Sequence, residues 1–531
     1  MSVFLHRSGR KIVDGSGKEI LLLGWGLGNM YVKEGYMWGA FDTPRFDRSR
    51  RIEQVIEELT GKEYAQRFWR VFQERYITES DFRSMRDMGC NSVRIPLDYR
   101  QFMEEGEGIV WREEGFTELK KRIDQCEKYG LYVFLDMHCA PGGQTGANID
   151  NCVDDRPRLF IDADNLEKSI MLWRRLAEMN RDREIVGGYD LLNEPIAPGE
   201  GNRNFDSYIP ILEQHYQDLI RAIREVDPNH LLSIEGAHWA TDLSIFRERF
   251  DENMVLHFHR YAGGPDIESL EKYLEKAEAL NLPLWLGESG ENDNEWYAAL
   301  YPLSLRLGIG INLWPWKKLN CTNSPYSVKK PRDYDLILDY VHGGPHPGFA
   351  RSRRILDEYL DNILLENCDF NDAVMRHVLR KPPFAMYAVD FDELPGKGVS
   401  YSGSSYPCQN DYRKNTHMCI FQDRELRKPR FAFDCQWDRF VLSLHEGEFV
   451  TYTIQGKEAI TCQIYYTAST SSTLEISAGN ENVIVELKSG SLYYSAPFSL
   501  SIQESITTIK IYMKRGTAQI KKIVFCEQST D

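Results

Sequence analysis

Eight short apolar runs that alternate with longer helical segments constrain the fold of this 531-residue chain more than any other feature. Segments with helical spacing lie between the runs at 118–129, 165–180, 208–226 and 267–280, and another, 351–365, follows the last run. Such alternation predicts βαβ units in a parallel sheet, and eight units predict an α/β fold closed into a (β/α)₈ TIM barrel. A doubly wound open sheet is the alternative, but no Gly-rich phosphate loop follows the first run. The runs are 20–24, 92–96, 131–138, 186–192, 231–235, 254–261, 282–288 and 309–314.

The pattern changes after about residue 370, where helical spacing fades. Segment 379–384 contains Pro382-Pro383 and is interpreted as a linker. Beyond it, short alternating runs are separated by Gly, Ser and Asn, which is typical of an all-β sandwich. We therefore predict a barrel domain at 1–380 and a sandwich domain at 384–531. The alternating runs are 449–454, 460–466, 472–477, 482–487, 507–513 and 518–525.

Charge and cysteine usage exclude several classes of protein. The net charge of −16 would repel phosphate backbones, so we expect no nucleic-acid partner. The eleven cysteines include no C-x-x-C pair, which argues against structural zinc and favours reduced thiols. A disulfide among the five cysteines from Cys408 to Cys526 stays open.

The N-terminal residues and the hydropathy of the chain bear on its location. The first residues lack the apolar core of a secretory signal, and no apolar run is long enough to span a membrane. We expect no membrane partner. The sequence as written predicts a soluble cytoplasmic protein, although a secreted protein trimmed of its leader would look the same. We expect a monomer or a small oligomer.

Polar residues follow most of the predicted strands at their C-terminal ends, where TIM barrels place their reactive side chains. Each one alone is equally consistent with a simple strand end, but together they would line one rim. They are Arg94 on strand 2, Asp136 and His138 on strand 3, Asn193 and Glu194 on strand 4, His257, His259 and Tyr261 on strand 6, Glu288 on strand 7, and Trp314 and Trp316 on strand 8.

Two glutamates on strands 4 and 7 would face each other across the barrel mouth. Cleavage of a glycosidic bond requires one protonated carboxyl, which gives a proton to the leaving oxygen, and one ionised carboxylate, which attacks the anomeric carbon. We expect Arg94 to keep Glu288 ionised and Glu194 to be the protonated partner. Pro195 predicts an extended backbone at Glu194.

The residues of strand 6 allow several interpretations. His257, His259 and Tyr261 share one face of a regular strand, so Tyr261 is placed to donate to the nucleophile and His259 to orient the acid/base. The alternative is that both histidines are satisfied rim or core residues. They also form an H-x-H pair of a metal-ligand type, but barrel metallohydrolases usually carry that pair on the first strand. We expect no metal. Trp314 or Trp316 would stack under a sugar ring, with core packing as the alternative.

Five motifs resemble those of glycoside hydrolase family 5, within the clan of retaining (β/α)₈ glycosidases. They are S-V-R-I-P at 92–96, H-C-A-P-G-G-Q at 138–144, L-N-E-P at 192–195, H-R-Y at 259–261 and W-L-G-E-S at 285–289. The resemblance implies a carbohydrate substrate and hydrolysis by double displacement through a glycosyl-enzyme. The two carboxyls would lie about 5–5.5 Å apart, and no cofactor is implied.

The resemblance also assigns a role to each matching position. Glu194 is expected to be the acid/base and Glu288 the nucleophile. The other positions are expected to support them or bind the sugar: Arg94 and Tyr261 beside the nucleophile, Asn193 on the 2-hydroxyl, His138 and His259 on the sugar or a carboxylate, and Trp314 as the stacking platform.

Substrate specificity is less constrained by the sequence. The G-W-G-L-G-N stretch at 24–29 resembles the exo-β-1,3-glucanase branch of the family, which implies a β-glucan-like substrate. The insert at 31–70 would wall off the mouth and form a pocket, which favours chain ends or small substrates. An endo-acting enzyme on glucan, mannan or xylan stays open. So do a glycan-binding protein without activity, a transglycosylase with the same residues, and a metal-dependent barrel hydrolase.

The C-terminal segment resembles carbohydrate-binding modules of family 6 or 35. The matching stretches include 391–392, 398–401, D-Y-R at 411–413 and 446–453. Val389 stands where those modules often have a calcium-binding Glu. Sugar binding would depend on Tyr412 together with Tyr493 or Tyr494, and a pure packing role is the alternative.

Overall fold

The computed structural model describes residues 4–527 except 42, 202, 397, 405–411, 457–458 and 502–504. Cys408 of the possible disulfide and Asp411 of the D-Y-R stretch lie outside the described residues. The chain divides into two compact units. Unit 1 holds 1–260, 273–290 and 308–371, and unit 2 holds 261–272, 291–307 and 372–531.

Unit 1 contains a closed barrel of eight parallel strands, as the alternation of apolar runs predicts. Its closure is direct, because Leu23 of the first strand pairs with Ile311 of the last. All eight predicted strands are present, and their predicted limits differ from the observed ones by three residues or fewer. The strands are β1 (Leu23–Gly26), β2 (Ser92–Asp98), β3 (Tyr132–Cys139), β4 (Val186–Asp190), β5 (Leu231–Glu235), β6 (Met254–Arg260), β7 (Leu284–Ser289) and β8 (Gly310–Leu313).

Helices with apolar faces follow the strands along the chain. In the first part they are α1 (Ser49–Thr60), α2 (Lys62–Arg75), α3 (Glu79–Asp87), α4 (Glu113–Lys128), α5 (Ala163–Asn180) and α6 (Ile209–Arg224). The later helices are α7 (Glu271–Leu280), α8 (Asn294–Arg306), α9 (Asp335–Val341), α10 (Phe349–Asn362) and α11 (Asp372–Val378). The predicted insert at 31–70 supplies α1 and most of α2.

An N-terminal hairpin of strands His6–Ser8 and Lys11–Val13 packs below the barrel. Leu5 and Ile12 join an apolar cluster with Leu22, Leu231 and Trp285, residues at the N-terminal ends of barrel strands or just before them. Burial of these side chains closes that end of the barrel, and each fully buried one contributes about 1.5–3 kcal/mol. Stability is therefore concentrated at the end opposite the predicted site.

Unit 2 contains two antiparallel sheets, which confirms the predicted β-sandwich region. Its strands are β9 (Phe384–Tyr387), β10 (Tyr401–Ser402), β11 (Cys419–Gln422), β12 (Phe440–His445), β13 (Phe449–Gln455), β14 (Ile460–Ala468), β15 (Ser472–Ala478), β16 (Glu481–Leu487), β17 (Gly490–Tyr494), β18 (Phe498–Leu500), β19 (Ile506–Arg515) and β20 (Thr517–Glu527). One sheet follows the order β11-β12-β20-β14-β17, with β9 beside β20 and β18 beside β14, and the other follows β10-β13-β19-β15-β16. Alternate residues of β14 are buried, as expected for a strand with one face on a core.

Shorter elements complete the two units. Strands Lys317–Leu319, Tyr326–Val328 and Asp369–Phe370 form a small sheet. The 3₁₀ turns are Gly35–Trp38, Pro44–Phe46, Tyr99–Gln101, Asn148–Asp150, Asp206–Tyr208, Glu268–Leu270, Leu365–Asn367, Ala388–Asp390, Lys414–Thr416 and Trp437–Arg439, and a short helical turn spans Ala237–Ala240. The ten cysteines within the described ranges are free thiols. In the part of the chain that the structure describes, no helix combines the length and apolarity needed to cross a membrane.

Candidate active site

Seven of the eight predicted site residues lie in unit 1, on the barrel strands or directly after them. Each is at least nine-tenths buried, so their polar groups depend on one another for hydrogen bonds. They are Arg94 within β2, His138 in β3, Asn193 and Glu194 after β4, His259 in β6, Glu288 in β7 and Trp314 after β8.

Arg94 is the centre of the site. Its guanidinium has no exposed surface and donates to Glu288 Oε1 at 2.9 Å, Asp190 Oδ2 at 2.8 Å, Asn193 Oδ1 at 2.8 Å and Glu235 Oε1 at 3.1 Å. A guanidinium presents its donors in a fixed plane, so these four acceptors are held in a fixed arrangement.

Glu194 and Glu288 face each other with His259 between them. One carboxylate oxygen from each glutamate and one ring nitrogen of His259 lie within 4.8 Å of one another. His259 Nδ1 is 2.7 Å from Glu194 Oε1 and 3.3 Å from Glu288 Oε2. The two carboxyls are therefore close enough to act on two bonded atoms of one substrate.

The backbone at Glu194 differs from the expectation. Its φ is +43°, in the left-handed region, so the prediction that Pro195 would keep it extended is wrong. The backbone N–H of Glu194 donates to Glu235 Oε2 at 2.7 Å. This charge-assisted bond offsets the strain of a left-handed non-glycine residue, which costs about 1–3 kcal/mol.

A second group of residues lies on the β3 side of the site. His138 Nδ1 is 2.8 Å from Asp136 Oδ2, and His138 Nε2 is 3.4 Å from Asn193 Nδ2. The His138 ring stacks on the indole of Trp314 with centroids 5.4 Å apart and planes 7° apart. The Trp314 indole N–H donates to the hydroxyl of Tyr36 at 2.8 Å, so the insert contributes directly to this part of unit 1.

Two further aromatic residues were considered from the sequence, Tyr261 and Trp316. Tyr261 follows β6 and belongs to unit 2, where its ring stacks on Phe433 with centroids 5.3 Å apart. Trp316 has no exposed surface, and its indole N–H donates to Asp81 at 2.9 Å, so it packs in the core. Of the two tryptophans considered for stacking, Trp314 is the one beside the site.

Burial and charge act in opposite directions on the site histidines. Burial lowers the pKa of His138 to about 4 and also lowers the pKa of His257. Burial would lower the pKa of His259 too, but the carboxylates of Glu235 and Glu288 outweigh it and raise that pKa well above its ordinary value. His259 therefore keeps a proton more readily than an ordinary histidine does.

The carboxyl groups show the same competition. Burial raises the pKa of Glu288, and the charges of His259 and Arg94 oppose that rise. Burial raises the pKa of Asp136 well above its ordinary value against the charge of Arg94. Burial would raise the pKa of Asp190 as well, but His257 and Arg94 outweigh it and lower the pKa. Several acids share one buried cation, so their protonation states depend on one another.

The cluster contains side chains of metal-ligand type, so its lone pairs decide whether an ion fits. Glu235, His257 and His259 each have a donor atom within 4.8 Å of the others. However, His257 Nε2 and His259 Nε2 face each other at 3.0 Å, and the Arg94 guanidinium lies 3.1 Å from Glu235 Oε1. These contacts turn the two ring nitrogens toward each other and place a guanidinium beside Glu235, which does not suit a divalent ion.

The sequence interpretation missed four members of this cluster. Asp136 and His257 stand near predicted strand ends without a predicted catalytic role, and the predictions do not include Asp190 or Glu235. The available signal was an acid inside or at the end of a buried apolar strand, because such an acid needs a buried partner. Asp190, Glu235 and His257 have no exposed surface at all.

The aromatic residues considered for sugar binding in unit 2 differ in exposure. Tyr412 is only 4% exposed, its hydroxyl donates to Asp390 at 2.6 Å, and its ring stacks on Phe440. Tyr493 and Tyr494 on β17 are 48% and 56% exposed. Only the β17 pair presents rings to solvent.

Comparisons with known proteins agree with this geometry. The family model described as cellulase (glycosyl hydrolase family 5) matches residues 53–318, which is half of the chain. The protein named beta-xylosidase from Phanerodontia chrysosporium is 32% identical over 306 residues, covering 54% of this chain and 61% of that protein.

Two further relatives carry different names. Endoglucanase C of Acetivibrio thermocellus is 27% identical over 35% of this chain and 51% of its own length. Probable glucan 1,3-beta-glucosidase A of Emericella nidulans is 28% identical over 49% of this chain and 64% of its own length. The chain thus spans about half to two-thirds of the length of these relatives. The barrel, the geometry of its site and the family match together show that the chain belongs to glycoside hydrolase family 5.

Proposed function

We propose that the protein is a retaining glycoside hydrolase in which Glu194 is the acid/base and Glu288 the nucleophile. The observation that carries the proposal is the close approach of the two carboxyls, with oxygens within 4.8 Å of each other and Arg94 bonded to Glu288. Inverting enzymes need about 6.5–9.5 Å between the carboxyls to admit a water molecule, whereas retaining enzymes hold them about 5–5.5 Å apart.

The proposed reaction has two balanced steps. Glu194 gives its proton to the glycosidic oxygen while Glu288 attacks the anomeric carbon, and the carbon–oxygen bond breaks with its electrons on the leaving oxygen. Water then attacks the anomeric carbon of the glycosyl-enzyme, Glu194 takes the proton of that water, and the bond to Glu288 breaks. Arg94 favours the ionised Glu288 before attack and after release.

Asn193, His138 and Trp314 are proposed to bind the sugar. Asn193 would contact the 2-hydroxyl, because its side chain is fixed by Arg94 beside the nucleophile. Trp314, stacked on His138, would contact the apolar face of the sugar. Tyr261 keeps its proposed role beside Glu288 on the strength of its position in the H-R-Y motif.

The proposed substrates are β-linked glucosides or xylosides, because the named relatives include a beta-xylosidase, an endoglucanase and a probable glucan 1,3-beta-glucosidase. Attack at chain ends fits the contact between Tyr36 of the insert and Trp314. We propose 1–380 as the catalytic domain and 384–531 as a carbohydrate-binding-module-like sandwich. We further propose that the chain acts on carbohydrate without a nucleic-acid or membrane partner, as a monomer or small oligomer.

The experiment is hydrolysis of aryl β-glucoside, β-xyloside, β-mannoside and β-galactoside, an aryl arabinofuranoside, and β-glucan oligomers by wild type and Glu288→Ala. We expect turnover of a glucoside or xyloside by wild type and a loss of about 10⁴-fold or more in the variant. Activity that survives Glu288→Ala would overturn the mechanism. Binding of β-glucan without turnover by wild type would instead favour the glycan-binding alternative.

A further inference from the structure

We propose that Glu235 and His257 are positioning residues that keep a proton stored on His259, beside the acid/base Glu194. The inference rests on the proposed function, because it concerns how the acid/base obtains the proton that it gives to the leaving group. Neither residue belongs to the motifs by which the family was identified. Glu235 is the last residue of β5, and His257 lies within the neighbouring strand β6.

The hydrogen bonds of His257 fix its tautomer. Its Nδ1 lies 2.9 Å from Ser233 Oγ, 3.1 Å from Asp190 Oδ1 and 3.2 Å from Glu235 Oε1. Two of these three neighbours are carboxylate oxygens, which accept, so Nδ1 carries the hydrogen. Burial lowers the pKa of His257, which favours the neutral ring. A neutral ring with its hydrogen on Nδ1 has a free lone pair on Nε2.

That lone pair determines where His259 carries its hydrogen. The Nε2 atoms of His257 and His259 lie 3.0 Å apart, so one must donate and the other accept. Because His257 accepts, His259 Nε2 carries a hydrogen. The other nitrogen of His259, Nδ1, faces Glu194 Oε1 at 2.7 Å. A short contact between an imidazole nitrogen and a carboxyl oxygen requires one proton between them.

Glu235 supplies the negative charge that favours this arrangement. Four nitrogen groups contact its carboxyl: the Glu194 N–H at 2.7 Å, Arg94 at 3.1 Å, His257 Nδ1 at 3.2 Å and His259 Nε2 at 3.3 Å. Burial raises the pKa of Glu235, and the charges of His259 and His257 oppose that rise. Four nitrogen groups around one carboxyl favour its ionised form, which accepts hydrogen bonds from all of them. Glu235 also holds the backbone of Glu194, so one carboxylate orients the acid/base and stabilises the imidazolium beside it.

Titratable or charged side chains near His259 come from strands β2 to β7 or the residues just after them. They are Asp136 on β3, Glu194 after β4, Glu235 on β5, His257 on β6 itself and Glu288 on β7, with Arg94 of β2 behind them. The carboxylates favour the protonated ring and Arg94 opposes it. Removal of the Glu235 charge therefore makes His259 lose its proton at a lower pH.

The proton count closes over the catalytic cycle. The proton shared by Glu194 Oε1 and His259 Nδ1 passes to the leaving oxygen in the first step. Glu194 takes a proton from the attacking water in the second step, which restores the shared proton.

Gly287 supports this geometry, because a Cβ there would lie 2.0 Å from His257 Nε2. No other residue leaves room for the His257 ring at that position.

The test uses full-length wild type, Glu235→Gln, His257→Leu and His257→Gln. Glu235→Gln keeps an oxygen for the Glu194 N–H but removes the charge. His257→Gln keeps an acceptor for His259 Nε2, whereas His257→Leu removes it. The first readout is the pH profile of kcat/KM on an aryl glycoside with a poor leaving group and on one with a good leaving group. The second is the titration of His259 by ¹⁵N NMR in the free proteins.

We expect the alkaline limb for the poor leaving group to move down by about one pH unit or more in Glu235→Gln and His257→Leu, which is a tenfold loss at a fixed pH above the limb. The limb for the good leaving group moves less, because that reaction needs less proton donation. His257→Gln restores most of the wild-type profile. The NMR titration of His259 falls to lower pH in the same two variants.

Unchanged limbs and an unchanged His259 titration in Glu235→Gln would overturn the proposal. If the two residues had only a structural role, the variants would have lower thermal stability and equal losses of kcat/KM on both substrates. That outcome would also contradict the proposal. If wild type hydrolyses none of the glycosides, the proposed function fails, and the NMR titration still decides the proton storage. If Glu235→Gln does not fold, the difference between His257→Leu and His257→Gln tests the proposal. If a His257 variant does not fold, Glu235→Gln against wild type tests it.

Discussion

Strand β5 has opposite surroundings at its two ends. Leu231 at its start packs in the apolar cluster that closes the barrel, together with Leu5, Ile12 and Trp285. Glu235 at its other end contacts Arg94 and the backbone of the predicted acid/base. Both residues have no exposed surface, yet only one of them is stabilised by contacts that any apolar side chain would make.

The two ends of the barrel differ in how much their buried residues contribute to the stability of the fold. Apolar burial at the N-terminal end is favourable by itself, whereas buried charges at the C-terminal end pay for desolvation with mutual contacts that roughly balance it. The contacts among the charges at the C-terminal end therefore fix the positions of these side chains but add little to the free energy of unfolding. Substitutions at the two ends should separate stability from activity.

The largest effect is expected for Arg94→Met. This change leaves Glu288, Asp190 and Glu235 buried without their cation, and breaking one partner of such a group costs about 3–5 kcal/mol. We expect a fall of that size in the free energy of unfolding by urea denaturation, and loss of glycosidase activity in the fraction that stays folded. A variant as stable as wild type would show that the carboxyls do not depend on Arg94.

A change at the opposite end should affect stability alone. Leu231→Ala leaves a cavity in the apolar cluster, and such substitutions cost about 2–5 kcal/mol. We expect lower stability in urea with an unchanged kcat per folded molecule at a temperature where the variant is folded. Ile211→Ala, at a side chain that is 37% exposed, is the control and should change stability much less. A large loss of kcat in Leu231→Ala would break the separation between the two ends.

A buried carboxyl in unit 2 has fewer partners than the carboxyls around Arg94, so burial should dominate its behaviour. Asp390 in unit 2 has no exposed surface, accepts from Tyr412 through Oδ1, and has no hydrogen-bond partner at Oδ2 among the described residues. Burial raises its pKa to about 6. Because the folded protein holds this proton more tightly than the unfolded chain does, Asp390 contributes stability that is fully present below about pH 4 and is lost as the pH rises to about 6.

Asp390→Asn should remove that slope. The measurement is the melting temperature of wild type and variant between pH 4 and pH 7, with Glu248→Gln as a surface control. Wild type is expected to lose stability relative to the variant as the pH rises through this range. Parallel curves for the two proteins would show that folding does not raise the pKa of Asp390.

The smallest effect is expected from a chelator. The lone pairs of Glu235, His257 and His259 already face hydrogen-bond partners, and double displacement by two carboxyls uses no metal. Treatment with EDTA should leave kcat and KM unchanged. A loss of activity that zinc or another divalent ion restores would contradict the account and revive the metal-dependent alternative.

The fold and the proposed catalytic pair could both be predicted from the sequence, because both depend on local signals. The period of apolar residues gave all eight barrel strands, and β5 was placed at its observed limits. Glu194 and Glu288 stood out because each follows an apolar run within a motif. Their position on two strands of a closed barrel is enough to bring them to the same rim.

The rest of the site depends on contacts that no local signal carries. Glu235 looks like an ordinary strand end until the barrel closes and brings it to the backbone of Glu194. Glu194 has a left-handed backbone in spite of Pro195, and the same contact holds its N–H in place. Tyr412, expected to face a sugar, is buried because Asp390 and Phe440 surround it. Such choices are set by tertiary partners, which spacing along the chain does not identify.

The most direct test of the central claim is azide rescue of Glu288→Ala and Glu194→Ala on an activated β-glycoside that wild type hydrolyses. The account predicts that azide restores turnover in both variants with opposite products. Glu288→Ala gives the α-glycosyl azide, because azide replaces the nucleophile, and Glu194→Ala gives the β-glycosyl azide, because azide attacks the glycosyl-enzyme. The reverse assignment of products, or a single anomer from both variants, would contradict the roles given to the two carboxyls.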